Sequence, residues 1–237
     1  MTRRAGWLLL LPALSVYASF VLVPFASAVR YSLYDWNGIG AATWVGLDNY
    51  VRIATDRALL GTLGNAFTLI IFFTVLPIAA GLALASLIRA IRSPAFGAVV
   101  RTVLFLPQII PLAAAGIGWA WMYSQTGLVN QVLDAVGLDR LARPWLGDFG
   151  TALPAVGLIG SWVLTGLCTV LLLTGMGKID PGLYESIRLD GGGWFAELRA
   201  VTLPSLRPEI GVLVLLTTIA ALSSFDIIFT STRGGPG

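Results

Sequence analysis

The hydrophobic and polar positions fall into long blocks. Arg4 and Arg30 bracket 25 residues without a formal charge, Arg57 and Arg89 bracket 31, and Arg101 and Asp134 bracket 32. Asp148 and Lys178 bracket 29, and Glu209 and Asp226 bracket 16, with apolar character continuing to Phe229. A helix needs about 20 apolar residues to cross ~30 Å of hydrocarbon. The blocks therefore predict five spanning helices, near 7–30, 62–88, 102–122, 152–174 and 210–230. Helices are expected because lipid cannot satisfy free backbone groups. No ten-residue alternating segments point to a β-barrel.

Composition sharpens this picture. Of 237 residues, 57% are hydrophobic and 11% charged, against about 25% charged in soluble domains. Mean hydropathy is +0.84. A water-soluble globule of this size could not hide so much apolar surface. The fold class is therefore an all-α integral membrane protein. The first block begins Met1-Thr2-Arg3-Arg4 as a signal peptide does. It runs past 20 residues without a clear cleavage site, so it reads as an uncleaved span.

Lys and Arg set the expected orientation. With the N-terminus inside, the inner segments carry Arg3, Arg4, Arg89, Arg92, Arg101, Lys178, Arg188, Arg199 and Arg207, and the outer segments carry fewer. The turn around Arg89, Arg92 and Arg101 would face anionic headgroups. The net charge of +3 gives no reason to invoke nucleic acid. The outer segments near 31–61 and 123–151 are polar and carry Trp36, Trp44 and Trp145. Gly46–Arg52 looks like a short amphipathic piece on the membrane surface. Trp119, Trp121 and Tyr123 have the placement of an interfacial aromatic belt.

The inner segment 178–208 is no loose linker. Asp180-Pro181 starts a helix, an N-cap oxygen followed by proline at the first helical position. On residues 181–189, Leu183 and Ile187 share a face, and Glu185 and Arg188 are spaced to pair. Gly191-Gly192-Gly193 ends the helix through the left-handed conformation that glycine accepts. A second amphipathic stretch carries Trp194, Phe195, Leu198 and Val201, and Pro204 is expected to stop it. So short a helix is marginal alone. It either lies on lipid or fits a groove on a partner.

Catalytic chemistry finds few reagents. There is no histidine and only one cysteine, Cys168, so a Ser-His-Asp triad, a zinc site and a redox pair are excluded. Gly116-Ile-Gly118 and Gly175-Met-Gly177 lack a dinucleotide-binding setting and suit close helix packing. No phosphate-binding G-x-x-x-x-G-K-[ST] loop is present. The chain is expected to be no enzyme, to bind no cofactor or metal and not to hydrolyse ATP itself. Asp226, flanked by Ser223 and Ser224, is the one acid near the membrane interior. It either lines a watery pathway or reaches water at the outer interface. Ser161, Trp162 and Thr165 on the fourth span either face the same cavity, where an indole beside hydroxyls suits a sugar ring, or simply pack.

The stretch Tyr184-Glu185-Ser186-Ile187-Arg188-Leu189-Asp190-Gly191, continuing to Val201-Thr202-Leu203-Pro204-Ser205-Leu206-Arg207-Pro208, resembles the "EAA" loop of permease subunits of binding-protein-dependent ABC importers. Glu185 matches the first position, Ser186 and Ile187 replace two alanines, and Asp190-Gly191 match the family's DG. Gly46-Leu47-Asp48-Asn49-Tyr50 with Asn65, Arg101 with Phe105-Leu106-Pro107, and Phe225-Asp226 with Thr232-Arg233-Gly234-Gly235-Pro236 are similar to the carbohydrate-uptake group. That group includes the first permease of maltose, glycerol-3-phosphate and multiple-sugar systems.

The resemblance implies a type I ABC importer permease. Its partners would be a second permease, a cytoplasmic ATPase dimer that hydrolyses the ATP, and an extracytoplasmic solute-binding protein. Glu185, Ser186, Ile187, Asp190 and Gly191 would form the ATPase-coupling element. The chain would sit in a bacterial or archaeal cell membrane with a cytoplasmic N-terminus. The family has a sixth span after the Gly-Gly-Pro segment, so a chain stopping at Gly237 is expected to be truncated. Two other readings are an ion-coupled secondary transporter, which would need intramembrane charges and an internal repeat, and a membrane-embedded lipid-phosphate transferase, which would need clustered acids at the headgroup plane.

Overall fold

The computed structural model describes residues 3–91 and 93–235, with side chains from Leu9 onward. Met1, Thr2, Arg92 and Pro236, and the side chains of Arg3 and Arg4, lie outside the described residues. The chain divides into two compact units, Met1–Leu63 and Gly64–Gly237.

The first unit opens with α1 (Arg3–Tyr17), a π-helical turn (Ala18–Leu22) and α2 (Val23–Tyr31). Leu9–Tyr31 is long and apolar enough to span a bilayer. It is apolar on every side, the composition of a helix in lipid. The region expected as an outer loop is ordered. Strands β1 (Tyr34–Asp35) and β2 (Thr43–Trp44) pair antiparallel, and α3 (Asp48–Thr55) follows. Asn49 Nδ2 donates to the carbonyls of Ser32 and Tyr34 at 2.9 and 3.0 Å, and Tyr50 and Ser32 share a hydroxyl hydrogen bond at 2.7 Å. Thus the Gly-Leu-Asp-Asn-Tyr run, expected as a short amphipathic piece, holds the exit of α2.

Helix α4 (Arg57–Ile70) continues through a π turn (Ile71–Val75) into α5 (Leu76–Arg89), giving one 33-residue apolar element. The second unit, which takes up this element from Gly64, holds α6 (Pro94–Ile109), α7 (Leu112–Met122), α8 (Leu128–Ala135) and α9 (Ala152–Met176). It ends with α10 (Pro181–Leu189), α11 (Trp194–Glu197), α12 (Leu203–Ser205), α13 (Arg207–Leu222) and α14 (Phe225–Thr232).

The expected spans at 102–122 and 210–230 are not straight helices. The third begins at Pro94 and bends by 96° where α6 gives way to α7. Pro107 and Pro111 remove two backbone donors around that bend, and the residue before a proline is pushed out of the helical region. The fifth breaks at Ser223-Ser224 between α13 and α14, and the chain enters it through a 72° bend between Ser205 and Arg207. Among the described residues three helices meet the length and apolarity of a span, or up to five if each bent pair counts as one.

Proline also explains the π turns. Those at Ala18–Leu22, Ile71–Val75 and Leu198–Thr202 each end two residues before a proline, namely Pro24, Pro77 and Pro204. A proline ring clashes with the carbonyl four residues back and cannot bond to it. A locally widened turn relieves that clash. In consequence Pro204 does not stop the amphipathic stretch. The helix runs on to Ser205.

Helix α9 is the central pillar. One core joins Leu69 and Phe73 to Val156, Ile159 and Val163, and a second joins Ala85 to Cys168, Leu172, Met176, Leu206 and Leu213. In lipid, helices associate through close packing rather than hydrophobic expulsion. Small residues make the approach possible. A Cβ on Gly81 would lie 2.8 Å from the Cβ of Cys168, and Cβ atoms on Gly157 and Gly160 would meet the rings of Phe72 and Phe73. Most Ser and Thr hydroxyls bond to carbonyls three or four residues back in their own helix, as an apolar medium requires.

Candidate functional site

The segment 178–208 folds back on itself as a clasped hairpin. Lys178 Nζ lies 3.1 Å from Glu209 Oε1, closing its two ends. The hydrogen bond from Lys178 holds the Glu209 carboxyl below the usual carboxylate range. The expected N-cap is present, with Asp180 Oδ1 accepting from the Gly182 N–H at 2.9 Å and Pro181 opening α10. At the other end Gly191 has φ +78°. The Gly192 N–H donates to the Ile187 carbonyl at 2.8 Å and the Gly191 N–H to the Arg188 carbonyl at 3.1 Å. These are the two bonds of a Schellman cap, which satisfies the last orphan carbonyls of the helix.

The expected Glu185–Arg188 pair is replaced by another. Arg188 Nε donates to Glu197 Oε1 at 2.6 Å and Nη2 to Oε2 at 3.5 Å. This two-pronged pair joins α10 to α11 and raises the Arg188 pKa, through the Glu197 hydrogen bond first and its charge second. The tight turn at Gly191–Gly193 brings Glu197 close, and a fork that matches the guanidinium wins over a single local charge. Glu185 is left exposed, with Ser186, Asp190 and Gly191, and Ile187 is half-buried. The five residues expected to couple thus stand together on one nine-residue helix and its cap.

The residue that anchors α10 is one the sequence reading passed over. Tyr184 is buried on the inner face. The Arg89 guanidinium sits 4.0 Å from the centre of its ring, and its hydroxyl lies 3.2 Å from Thr202 Oγ1. One side chain therefore ties α10 to the end of α5 and to the π turn at Leu198–Thr202. The outward face carries Leu189, 88% exposed, with Leu183, Trp194 and Phe195 also exposed.

The candidate pathway residues are more dispersed. Ser161 is buried and donates to the carbonyls of Phe72 and Gly157. Its neighbour Trp162 packs edge-on to Trp119, with ring centres 5.5 Å apart. Thr165 donates to the Ser161 carbonyl at 2.7 Å. Ser223 and Ser224 bond to the carbonyls of Ile219 and Ala221 at 2.5 and 2.6 Å. Asp226 is exposed in the first turn of α14, where the helix dipole favours an acid. Ser161 and Trp162 thus face different neighbours.

Two polar features inside the helices were missed. Thr217 Oγ1 donates to Thr74 Oγ1 at 3.0 Å, across the contact between α13 and the Ile71–Val75 turn. Gln108 Oε1 is buried and has no hydrogen-bond partner among the described residues. It lies just before the 96° bend, and an amide oxygen without a partner is costly in a low-dielectric medium.

No family model matches the chain. Curated proteins do. Over 237 residues it is 35% identical to a probable ABC transporter permease protein, YurN, of Bacillus subtilis (strain 168), covering 98% of this chain and 80% of that one. It is 32% identical over 240 residues to the trehalose/maltose transport system permease protein MalF of Thermococcus litoralis, covering 99% and 79%. A solved bacterial ABC transporter that imports the acidic polysaccharide alginate shares the fold, with a TM-score of 0.75 and 24% identity over 98% of this chain and 80% of that one.

Proposed function

The chain belongs to the permease proteins of ABC transporters, a multi-pass membrane subunit, and we propose that it forms, with a second permease, the import path of a sugar or related polar solute. ATP is hydrolysed by a cytoplasmic ATPase dimer, and an extracytoplasmic binding protein delivers the solute. The N-terminus and the 178–208 hairpin lie on the cytoplasmic side, in keeping with the concentration of arginine in those segments.

The observation that carries this reading is the clasped hairpin. Tyr184 and the Arg188–Glu197 pair fix α10 to its neighbours, while Glu185, Ser186 and Asp190 are left exposed. A helix held so firmly on one face transmits force applied to the other. Closure of the ATPase pair moves α10, and with it the ends of α5, α9 and α13 that the hairpin grips. Rigid-body rocking of the spans then alternates access to the pathway. In the assembled transporter, a cysteine-reactive crosslinker on a Ser186→Cys variant is expected to capture the ATPase. Capture of phospholipid alone, in a complex that retains its ATPase, would remove the coupling role.

Gln108 is the pathway residue this reading favours. Broken helices at membrane depth are tolerated where they line a cavity, and its unpartnered amide oxygen offers an acceptor to a passing hydroxyl. Gln108→Leu is expected to slow uptake by roughly ten-fold, the worth of one buried hydrogen bond, with ATPase assembly unchanged. Solute uptake in proteoliposomes checks it, and an unchanged rate would take Gln108 out of the path.

A further inference from the structure

Beneath α10 lies a cavity of about 240 Å³, walled by the end of α5, the end of α9, α10 and the α11 region. Two guanidinium groups reach it, those of Arg89 and Arg188. They differ in occupation. Arg188 is engaged by Glu197, the acid in the lining. Arg89 is stacked on the Tyr184 ring, and among the described residues no carboxylate pairs with it and its N–H groups have no hydrogen-bond acceptor. The ring holds the guanidinium carbon in place without using any of its N–H donors. Ser86, Tyr184 and Thr202 line the same space. The Ser86 hydroxyl donates to the Leu82 carbonyl and those of Tyr184 and Thr202 bond to each other, which leaves oxygen lone pairs and Arg89 as the unspent donor.

A planar cation held against a ring, with its donors unspent, matches a phosphate oxygen pair. Its position adds to this. Arg89 is the last residue of the 33-residue apolar helix, the place where a spanning helix meets the headgroup layer. Leu87 on α5 and Trp194 at the cavity are both exposed apolar surface, and indole rings favour that layer. We infer that this cavity binds a phosphate-bearing anion, the headgroup of a membrane phospholipid or a soluble phosphate. The bound anion bridges α5 and α10. The assignment is independent of the coupling role and holds whether or not α10 couples to an ATPase.

The test uses the assembled transporter in phosphatidylcholine nanodiscs, read by melting temperature. Phosphatidylglycerol added to the discs is expected to raise it. In Arg89→Gln the amount needed for half the effect rises by roughly ten- to a hundred-fold. Inorganic phosphate forms the second arm. A rise from phosphate that matches the lipid's and is weakened to the same degree in Arg89→Gln assigns the cavity to the soluble anion, and a rise from the lipid alone assigns it to the headgroup. Ala90→Trp, which leaves both arginines in place and puts a large ring on a residue that lines the cavity, is expected to abolish either rise. Equal rises in the parent and both variants, or no rise in the parent with either anion, would overturn the site.

Discussion

Gly191→Pro is expected to abolish ATP-driven uptake while the protein still inserts and assembles its spans. Gly191 sits at φ +78°, and proline is confined near −65°, so the chain cannot turn as it does now. The substitution also deletes the N–H that donates to the Arg188 carbonyl. Without the turn, Glu197 no longer reaches Arg188, and the hairpin opens. Gly191→Ala keeps the N–H and strains the backbone by only about 1 kcal/mol. It should retain measurable uptake. Glu185→Lys asks the same question of the outer face, because Glu185 is exposed and makes no fold-holding bond among the described residues. A reversed charge in a docked interface costs several kcal/mol, so uptake should fall by more than about a hundred-fold. Uptake into proteoliposomes, with membrane insertion followed by immunoblot, decides. Full uptake by both Gly191→Pro and Glu185→Lys would end the coupling assignment.

The second large effect lies in the bilayer. A Cβ on Gly166 would fall on the Leu104 carbonyl and lie 3.0 Å from the Phe105 Cα. Backbone meets backbone where α6 crosses α9, and no rotamer change relieves it. Gly166→Ala should therefore destabilise by about 3 kcal/mol, the upper end of ordinary overpacking, and Gly166→Leu should leave no folded protein to purify. Gly118 is the contrast. It too is helical, but nothing lies within 4 Å of its would-be Cβ. Gly118→Ala should be neutral or stabilising by up to about 1 kcal/mol through helix propensity. Melting in detergent compares the pair, and equal midpoints for Gly166→Ala and Gly118→Ala would refute this account of the crossing.

What could be read from the sequence followed from local rules. Asp180-Pro181 and the three glycines after Leu189 specify both ends of α10 without help from the rest of the chain, and the charge-free blocks specify where apolar helices lie. What escaped was tertiary. Arg188 has an acid three residues away and another nine away, and only the folded turn shows that the farther one is better aimed. Ser161 looks like a polar group waiting for a solute until the neighbouring turn presents the Phe72 carbonyl. Tyr184 is one aromatic among many until Arg89 arrives over its ring from α5. The bend at Pro111 was written in the sequence, since two prolines flank the Gln108–Ile110 step, but hydropathy alone runs straight through it.

The widened turns ahead of Pro24, Pro77 and Pro204 alter how these helices are indexed. Each adds a residue to a turn, and so sets the following half out of phase by about 100°. In the element from Arg57 to Arg89, the stripe carrying Leu69 and the stripe carrying Gly81, Ala85 and Ile88 cannot be drawn on a single helical wheel. A one-residue deletion between Ile71 and Val75 would realign the wheel and swing Gly81 away from Cys168. The excess residue is thus the spacer that keeps both halves of the helix aimed at the same pillar.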